Sequence, residues 1–231
     1  MTDGMASRDK PPAAAGPALE GRLRQALADL AEPDATLRRL AVQYLGRQAD
    51  TATLPQVIAA AADADREVRQ AALEALAAFG PQAVSALEQA LNDPQPTVRL
   101  AALRGIYRLR GEEAQALFLE QARSESALVR RRAMLYLGLV GRGEAEQALC
   151  YGLRDPAPEV RRTAVFALAA LRGAAASEHL VAALDDADAG VRRQAIRALE
   201  GLFGRSAERQ GPQAELRWKC WWQTRPLKEA N

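Results

Sequence analysis

The stretch 155–168, DPAPEVRRTAVFAL, sets an acid six residues before an arginine, Asp155 and Arg161. A carboxylate and a guanidinium held together can orient a substrate or polarise a reacting group. Other chemistry-bearing side chains are few. One histidine, His179, and two cysteines, Cys150 and Cys220, occur in 231 residues. They lack metal-ligand spacing, and no Ser/His/Asp set, Cys/His pair or glycine-rich phosphate loop is present. No catalytic residue, metal ligand or cofactor is therefore expected. The acid–arginine pair is the one candidate left, and the chain repeats it.

The elements that carry the pair recur with it. Related stretches begin at Glu32, Asp63, Asp93, Ser124, Asp155 and Asp186, and their apolar anchors are Leu37, Val68, Val98, Val129, Val160 and Val191. The anchors lie 31, 30, 31, 31 and 31 residues apart. A fixed period of this length is the mark of a solenoid. Four residues after each anchor stands Ala (Ala41, Ala72, Ala102, Ala133, Ala164, Ala195) and eight after it Leu or Ile. A larger apolar residue stands five after it (Val42, Leu73, Leu103, Met134, Val165, Ile196). Offsets of 0, 4, 5 and 8 form one helical face, here called helix B. Its start is signalled by Asp34, Asp65, Ser126 and Asp188 as N-caps, and by Pro96 and Pro158 at the first helical position. Gly80, Gly111, Gly141, Gly173 and Gly204 suit helix ends. A second amphipathic stretch, helix A, lies upstream, with apolar positions 11 and 7 residues before the anchor, as in Leu87/Leu91 and Leu180/Leu184.

The pattern D-x-x-x-x-V-R-x-x-A-x-x-A-L, as in 63–76, resembles the HEAT repeat, in the short bacterial form often named after phycobilisome lyases. The resemblance covers about residues 20–204. It implies an all-α, right-handed α-solenoid of six hairpins of about 31 residues. The expected organisation is a disordered tail over 1–18, the array over 19–204, and a cap and tail over 205–231. In the family, the repeated acid and arginine form a ladder between adjacent repeats. Here that assigns Asp63, Arg69, Asp93, Arg99, Asp155, Arg161, Asp186 and Arg192 to structure, with a weak rung where Ser124 replaces the acid.

The family also places the other face of helix B, 2, 6 and 10 residues after each anchor, on the concave side. That stripe holds eight arginines, including Arg104, Arg108, Arg131, Arg162, Arg193 and Arg197, and one acid, Glu74. Leu100, Leu135, Leu139 and Phe166 interrupt it, with Tyr107 and Tyr136 expected nearby. Guanidiniums bind carboxylate or phosphate, and apolar anchors supply burial. The stripe predicts a protein partner with an acidic, partly apolar segment, which makes the chain a non-enzymatic scaffold. Two alternatives stay open: a phycobilin lyase subunit or bilin-binding protein taking a tetrapyrrole, and a nucleic-acid binder. The deoxyhypusine hydroxylases of this repeat type hold iron with His-Glu pairs, which this sequence lacks.

Composition agrees. Aromatics make up 5%, so Ala, Leu and Val must fill the core, as closely packed helices allow. A net charge of +2 does not by itself indicate nucleic acid. No apolar run reaches the roughly 18 residues of a membrane span, and two unpatterned cysteines suit a reducing compartment, so a cytoplasmic protein is expected. The three tryptophans, Trp218, Trp221 and Trp222, fall after the last repeat, where they predict a capping helix followed by a frayed 225–231 end.

Overall fold

A computed structural model describes residues 17–141, 143–171, 174–204 and 212–224. Residues 1–16 of the expected 1–18 tail, Gly173, and residues 205–211 and 225–231 lie outside them, while residues 17 and 18 begin the first helix. All regular structure in the described residues is helical.

The chain is an α-solenoid of stacked hairpins. The helix-A elements are α1 (Pro17–Asp29), α3 (Leu54–Ala60), α5 (Val84–Gln89), α7 (Gln115–Gln121), α9 (Glu144–Gly152) and α11 (Ala174–Ala182). The helix-B elements are α2 (Ala35–Gln48), α4 (Arg66–Leu76), α6 (Pro96–Arg110), α8 (Ala127–Val140), α10 (Pro158–Leu171) and α12 (Ala189–Phe203). A last helix, α13 (Pro212–Thr224), packs against α12 and α11. Helix A is shorter than its periodicity suggests. In α3, α5 and α7 the first turn is a 3₁₀ segment, Thr51–Thr53, Gly80–Ala83 and Gly111–Ala114. The last two begin on glycines with φ of 77° and 50°, which only glycine adopts without strain.

The core follows the repeat columns. Every residue 4, 5 and 8 after an anchor is buried. Val68, Val98, Val129 and Val160 are 0% exposed, yet Leu37 is 40% exposed. Leu37 is therefore not core as its column predicts. Among the described residues, no hairpin packs on the outer side of α1 and α2. The caps are mixed: Asp34, Asp65 and Asp188 accept helix N–H groups, whereas Ser126 makes no side-chain cap bond.

The helix-B layer is joined by the repeated acid and arginine. Arg38 Nε donates to Asp63 at 2.8 Å, Arg69 to Asp93 at 2.7 Å, Arg130 to Asp155 at 2.7 Å and Arg161 to Asp186 at 2.8 Å. In each pair a second nitrogen of the guanidinium reaches the other carboxylate oxygen, the bidentate fork that favours arginine over lysine. The remaining nitrogen turns back to two carbonyls of its own repeat, as Arg130 does to Ser124 and Glu125. Each carboxylate also accepts the backbone N–H two residues on, as Asp155 does from Ala157 at 2.9 Å. So each arginine pairs with the acid of the next repeat and holds the turn of its own.

The side chains of these rungs are about nine-tenths to four-fifths buried, and their titration reflects it. The hydrogen bond from Arg38 holds the Asp63 carboxyl below the usual range against the opposing effect of burial. For Asp93, Asp155 and Asp186, burial is the largest influence and pushes upward. Arginine and backbone hydrogen bonds, with the nearby guanidinium charges, more than offset it, so all three lie below the usual range.

Two rungs differ. Arg99 has the two carbonyl bonds, to Asp93 at 2.6 Å and Pro94 at 3.1 Å, but faces Ser124, and its Nε is buried without a partner. Arg192 pairs at 2.8 Å with Glu215 of α13, so the last helix supplies the acid a further repeat would bring.

Candidate functional site

The residues 2, 6 and 10 after each anchor point away from the core because 3.6 residues per turn carries them to the far side of helix B. On α8 and α10 this stripe bounds a cleft of about 280 Å³ lined by Arg131, Arg132, Leu135, Arg162, Thr163, Phe166 and, from α12, Gln194. Four of the predicted binding residues, Arg131, Leu135, Arg162 and Phe166, thus share one depression. None of the lining residues is acidic, and Arg131 and Arg162 have no carboxylate partner among the described residues. Phe166 is 48% exposed and Leu139, beyond the cleft on the same face of α8, is 53% exposed.

The other predicted residues lie outside this cleft. Arg104 is spread along α6 toward Glu74 at 3.8 Å, both half exposed, a pair too open to hold either group firmly. Arg108, Arg193 and Arg197 are exposed on α6 and α12. Tyr136 is not in the groove: it is 4% exposed, stacked on Tyr107 at 4.5 Å between ring centres and tilted against Phe118 at 5.1 Å. Arg132 lies 5.9 Å over the Tyr136 ring, a cation–π contact that fixes one wall of the cleft. Burial pushes the Tyr136 phenol upward despite Arg132 and Arg104 nearby.

Arg132, Thr163 and Gln194 were missed by the stripe reading, yet a signal for them exists. They stand three residues after their anchors, where earlier repeats have Leu40, Ala71 and Ala101. Ala71 and Ala101 are 5% and 4% exposed. The column turns from apolar to polar in the last three repeats, where the cleft opens.

Larger hollows lie on the helix-A side. One of about 920 Å³ runs between α7 and α9, with Glu120, Arg123, Glu144 and Tyr151 on its walls. Its lining sets Glu120, Glu144 and Asp155 against Arg123, which does not suit an acidic ligand. A second, of about 510 Å³, holds Cys150, Arg154 and His179. Burial, then the charge of Glu146, raises the Cys150 thiol, which leaves it a poor nucleophile. No group of acids, cysteines and histidine among the described residues is arranged to hold a metal ion.

A sequence profile described as HEAT repeats matches residues 22–106, 80–136 and 116–200. No curated protein matches the chain in sequence. Solved structures of similar fold include Escherichia coli YibA (TM-score 0.60, 19% identity, covering 87% of this chain and 77% of that one). The complex of CpcE and CpcF of phycocyanin lyase from Nostoc sp. is similar at a TM-score of 0.55 and 22% identity, over 65% of this chain and 99% of that one. A designed armadillo repeat protein in complex with the peptide (KR)4 has a TM-score of 0.51 and 19% identity, over 78% of this chain and 99% of that one. At these identities the likeness is one of fold.

Proposed function

The chain belongs to the HEAT-repeat family, and on that premise we propose that it is a non-enzymatic scaffold that binds an acidic, partly apolar segment of a protein partner on the exposed helix-B face. The observation that carries this is the acid-free cleft between α8, α10 and α12 with three guanidiniums and the half-exposed ring of Phe166. Guanidiniums without an ion-pair partner among the described residues, beside exposed apolar carbon, suit a ligand that brings both carboxylate and burial. The flanking Arg104, Arg108, Arg193 and Arg197 extend the same charge along the stack, steering such a partner toward the cleft.

Neither alternative gains a specific observation. Tyr136, expected near the groove, is core, and the phycocyanin lyase likeness is one of fold. The basic stripe is broken by Leu135, Leu139 and Phe166 where a nucleic-acid backbone needs continuous charge. We place the protein in the cytoplasm because free Cys150 and Cys220 suit a reducing compartment. No helix among the described residues is long and apolar enough to cross a membrane.

The test is affinity purification with the wild-type chain and with the double variant Arg131→Glu/Phe166→Asp. Both side chains lie off the core, so the variant keeps its helical circular dichroism. It is expected to lose its principal partner, and an acidic-apolar peptide from that partner should bind it at least about tenfold more weakly, a change of about 1.4 kcal/mol. An unchanged partner set overturns the proposal.

A further inference from the structure

The two ends of the stack are finished differently. At the carboxyl end α13 buries Ala214 and Trp218 to 0% and 4% exposure, and Glu215 occupies Arg192. Phe203 of α12 meets Trp218 and Trp221 at 6.2 and 4.9 Å between ring centres, and Lys219 contacts Asp185. This face is closed.

At the amino end no described residue covers the same surface. The anchor Leu37 is 40% exposed, whereas the other five anchors are at most 1% exposed. Leu40, three residues on, is 49% exposed, where the corresponding Ala71 and Ala101 are 5% and 4%. What buries the later anchors, and Ala71 and Ala101, is the hairpin before them.

The turn beside this face has the ladder conformation. Arg38 donates to the carbonyls of Glu32 and Pro33 at 2.9 Å each, as Arg69 does to those of Asp63 and Ala64 at 2.9 and 3.0 Å. Glu32 therefore stands where Asp63 stands in the next repeat. Asp63 carries the guanidinium of the preceding hairpin, while the exposed Glu32 carboxylate has no partner among the described residues.

We propose that this open face, with Leu37, Leu40 and Glu32, is a docking site for a HEAT-type helical hairpin supplied by another polypeptide. The arginine of that hairpin, one residue after its own anchor, pairs with Glu32 as Arg38 pairs with Asp63. Its Ala and Leu side chains cover Leu37 and Leu40 as each hairpin covers the next. The occupant is not the native carboxyl end of a second copy, because α13 already holds Arg192. A contact that continues the stack is heterologous, and a capped far end stops it at one partner rather than a filament.

The probe is this chain with Glu215→Ala, Trp218→Asp and Trp221→Asp, which frees Arg192 and sets charges in the rings' contact with Phe203 so that α13 leaves α12. The target is the full chain with Leu37→Cys in a Cys150→Ser/Cys220→Ser background. Alone, the target thiol is expected to react as fast as an exposed cysteine. Excess probe slows it at least about tenfold, and Glu32→Lys in the target removes most of that protection. Absence of protection by a probe that keeps the helicity of its repeats, with tryptophan emission shifted to the red as α13 leaves α12, overturns the proposal. Slow reaction in the target alone overturns it too, since residues 1–16 or a second copy would then already cover the face. Should the probe not fold, the full chain with a copy of residues 143–173 inserted between residues 16 and 17 replaces it. The insertion is expected to raise Tm by several degrees, and Glu32→Ala to remove part of the gain. An unchanged Tm overturns the proposal.

Discussion

The α8–α10 junction and the α6–α8 junction use the same repeat positions and are held in different ways. Between α8 and α10, Gly138 lies against Ala167 so closely that a Cβ on Gly138 would sit 2.5 Å from the Ala167 Cβ and 2.7 Å from its Cα. The same columns between α6 and α8 hold Tyr107 and Tyr136, stacked at 4.5 Å. Rings stand there in place of backbone approach. The ladder differs in parallel: Arg130 grips Asp155 through two nitrogens at 2.7 and 2.9 Å, while Arg99 faces Ser124 with its Nε unpartnered. One junction has close backbones and a full rung, and the other has neither. The proposed binding cleft lies across the first, so its guanidiniums are mounted on the more tightly joined pair of helices. A site on rigid elements holds its geometry at less entropic cost on binding.

The sharpest break in this comparison is Asp155→Ala. It strands two buried donor groups of Arg130 and the N–H of Ala157. A stranded, largely buried charge costs about 3 kcal/mol. Ser124→Ala removes a hydroxyl that only the N–H of Ser126 approaches, at 3.4 Å, and is expected to stay within about 0.5 kcal/mol of wild type. Urea melts of both variants measure the difference, and equal losses would dissolve the distinction between the two rungs.

Next in size is Gly138→Val. The added carbon meets backbone as well as side chain, so α8 and α10 must separate, at about 2 kcal/mol. Tyr107→Phe keeps the ring stack at the other junction and is expected to cost less than about 0.5 kcal/mol. Thermal melts that ranked the two variants the other way would show that the rings, not the glycine, are the tighter contact.

Much of this was legible in the sequence because a solenoid repeats its own evidence. The burial of Ala72 or Leu76 is written again in every other repeat, so a single period identifies the core. What could not be read so is whatever depends on a neighbour being present. Leu37 has the residue type of a core anchor, and its exposure follows from an end effect that no residue in its own column records. Tyr136 is expected near the groove, yet it stands seven residues after its anchor, where Ala75, Ala167 and Ala198 are all buried. The column was the better guide. In the cleft, Arg131 and Phe166 follow from helical geometry, while Arg132, Thr163 and Gln194 required comparing one column between repeats rather than one repeat with a consensus.

The smallest expected effect is also the most specific. Ser124→Asp puts a carboxylate where the five other repeats have one, in the position from which Asp93 and Asp155 meet the Nε of Arg69 and Arg130. A hydrogen-bonded, largely buried pair of this kind should add about 1 kcal/mol, less than Asp155→Ala removes, because Arg99 already keeps its two carbonyl bonds and Tyr107–Tyr136 sets the helix spacing. The gain has a pH signature. The native rung carboxyls of Asp63, Asp93, Asp155 and Asp186 lie below their ordinary range. A carboxyl lowered on folding contributes stability that is fully present above its unfolded pKa of about 3.9 and lost as pH falls through the folded value. Ser124→Asp should therefore exceed wild type in urea midpoint at pH 7 and converge on it in acid, while wild type itself weakens as its own four rungs protonate. A gain that persisted unchanged into acid would assign the effect to helix capping or packing at α8 and not to a restored rung. Because Ser124→Asp leaves the α8–α10 cleft untouched, it also separates the two junctions by function: stability should rise with partner affinity unchanged, provided the cleft draws its rigidity from its own pair of helices.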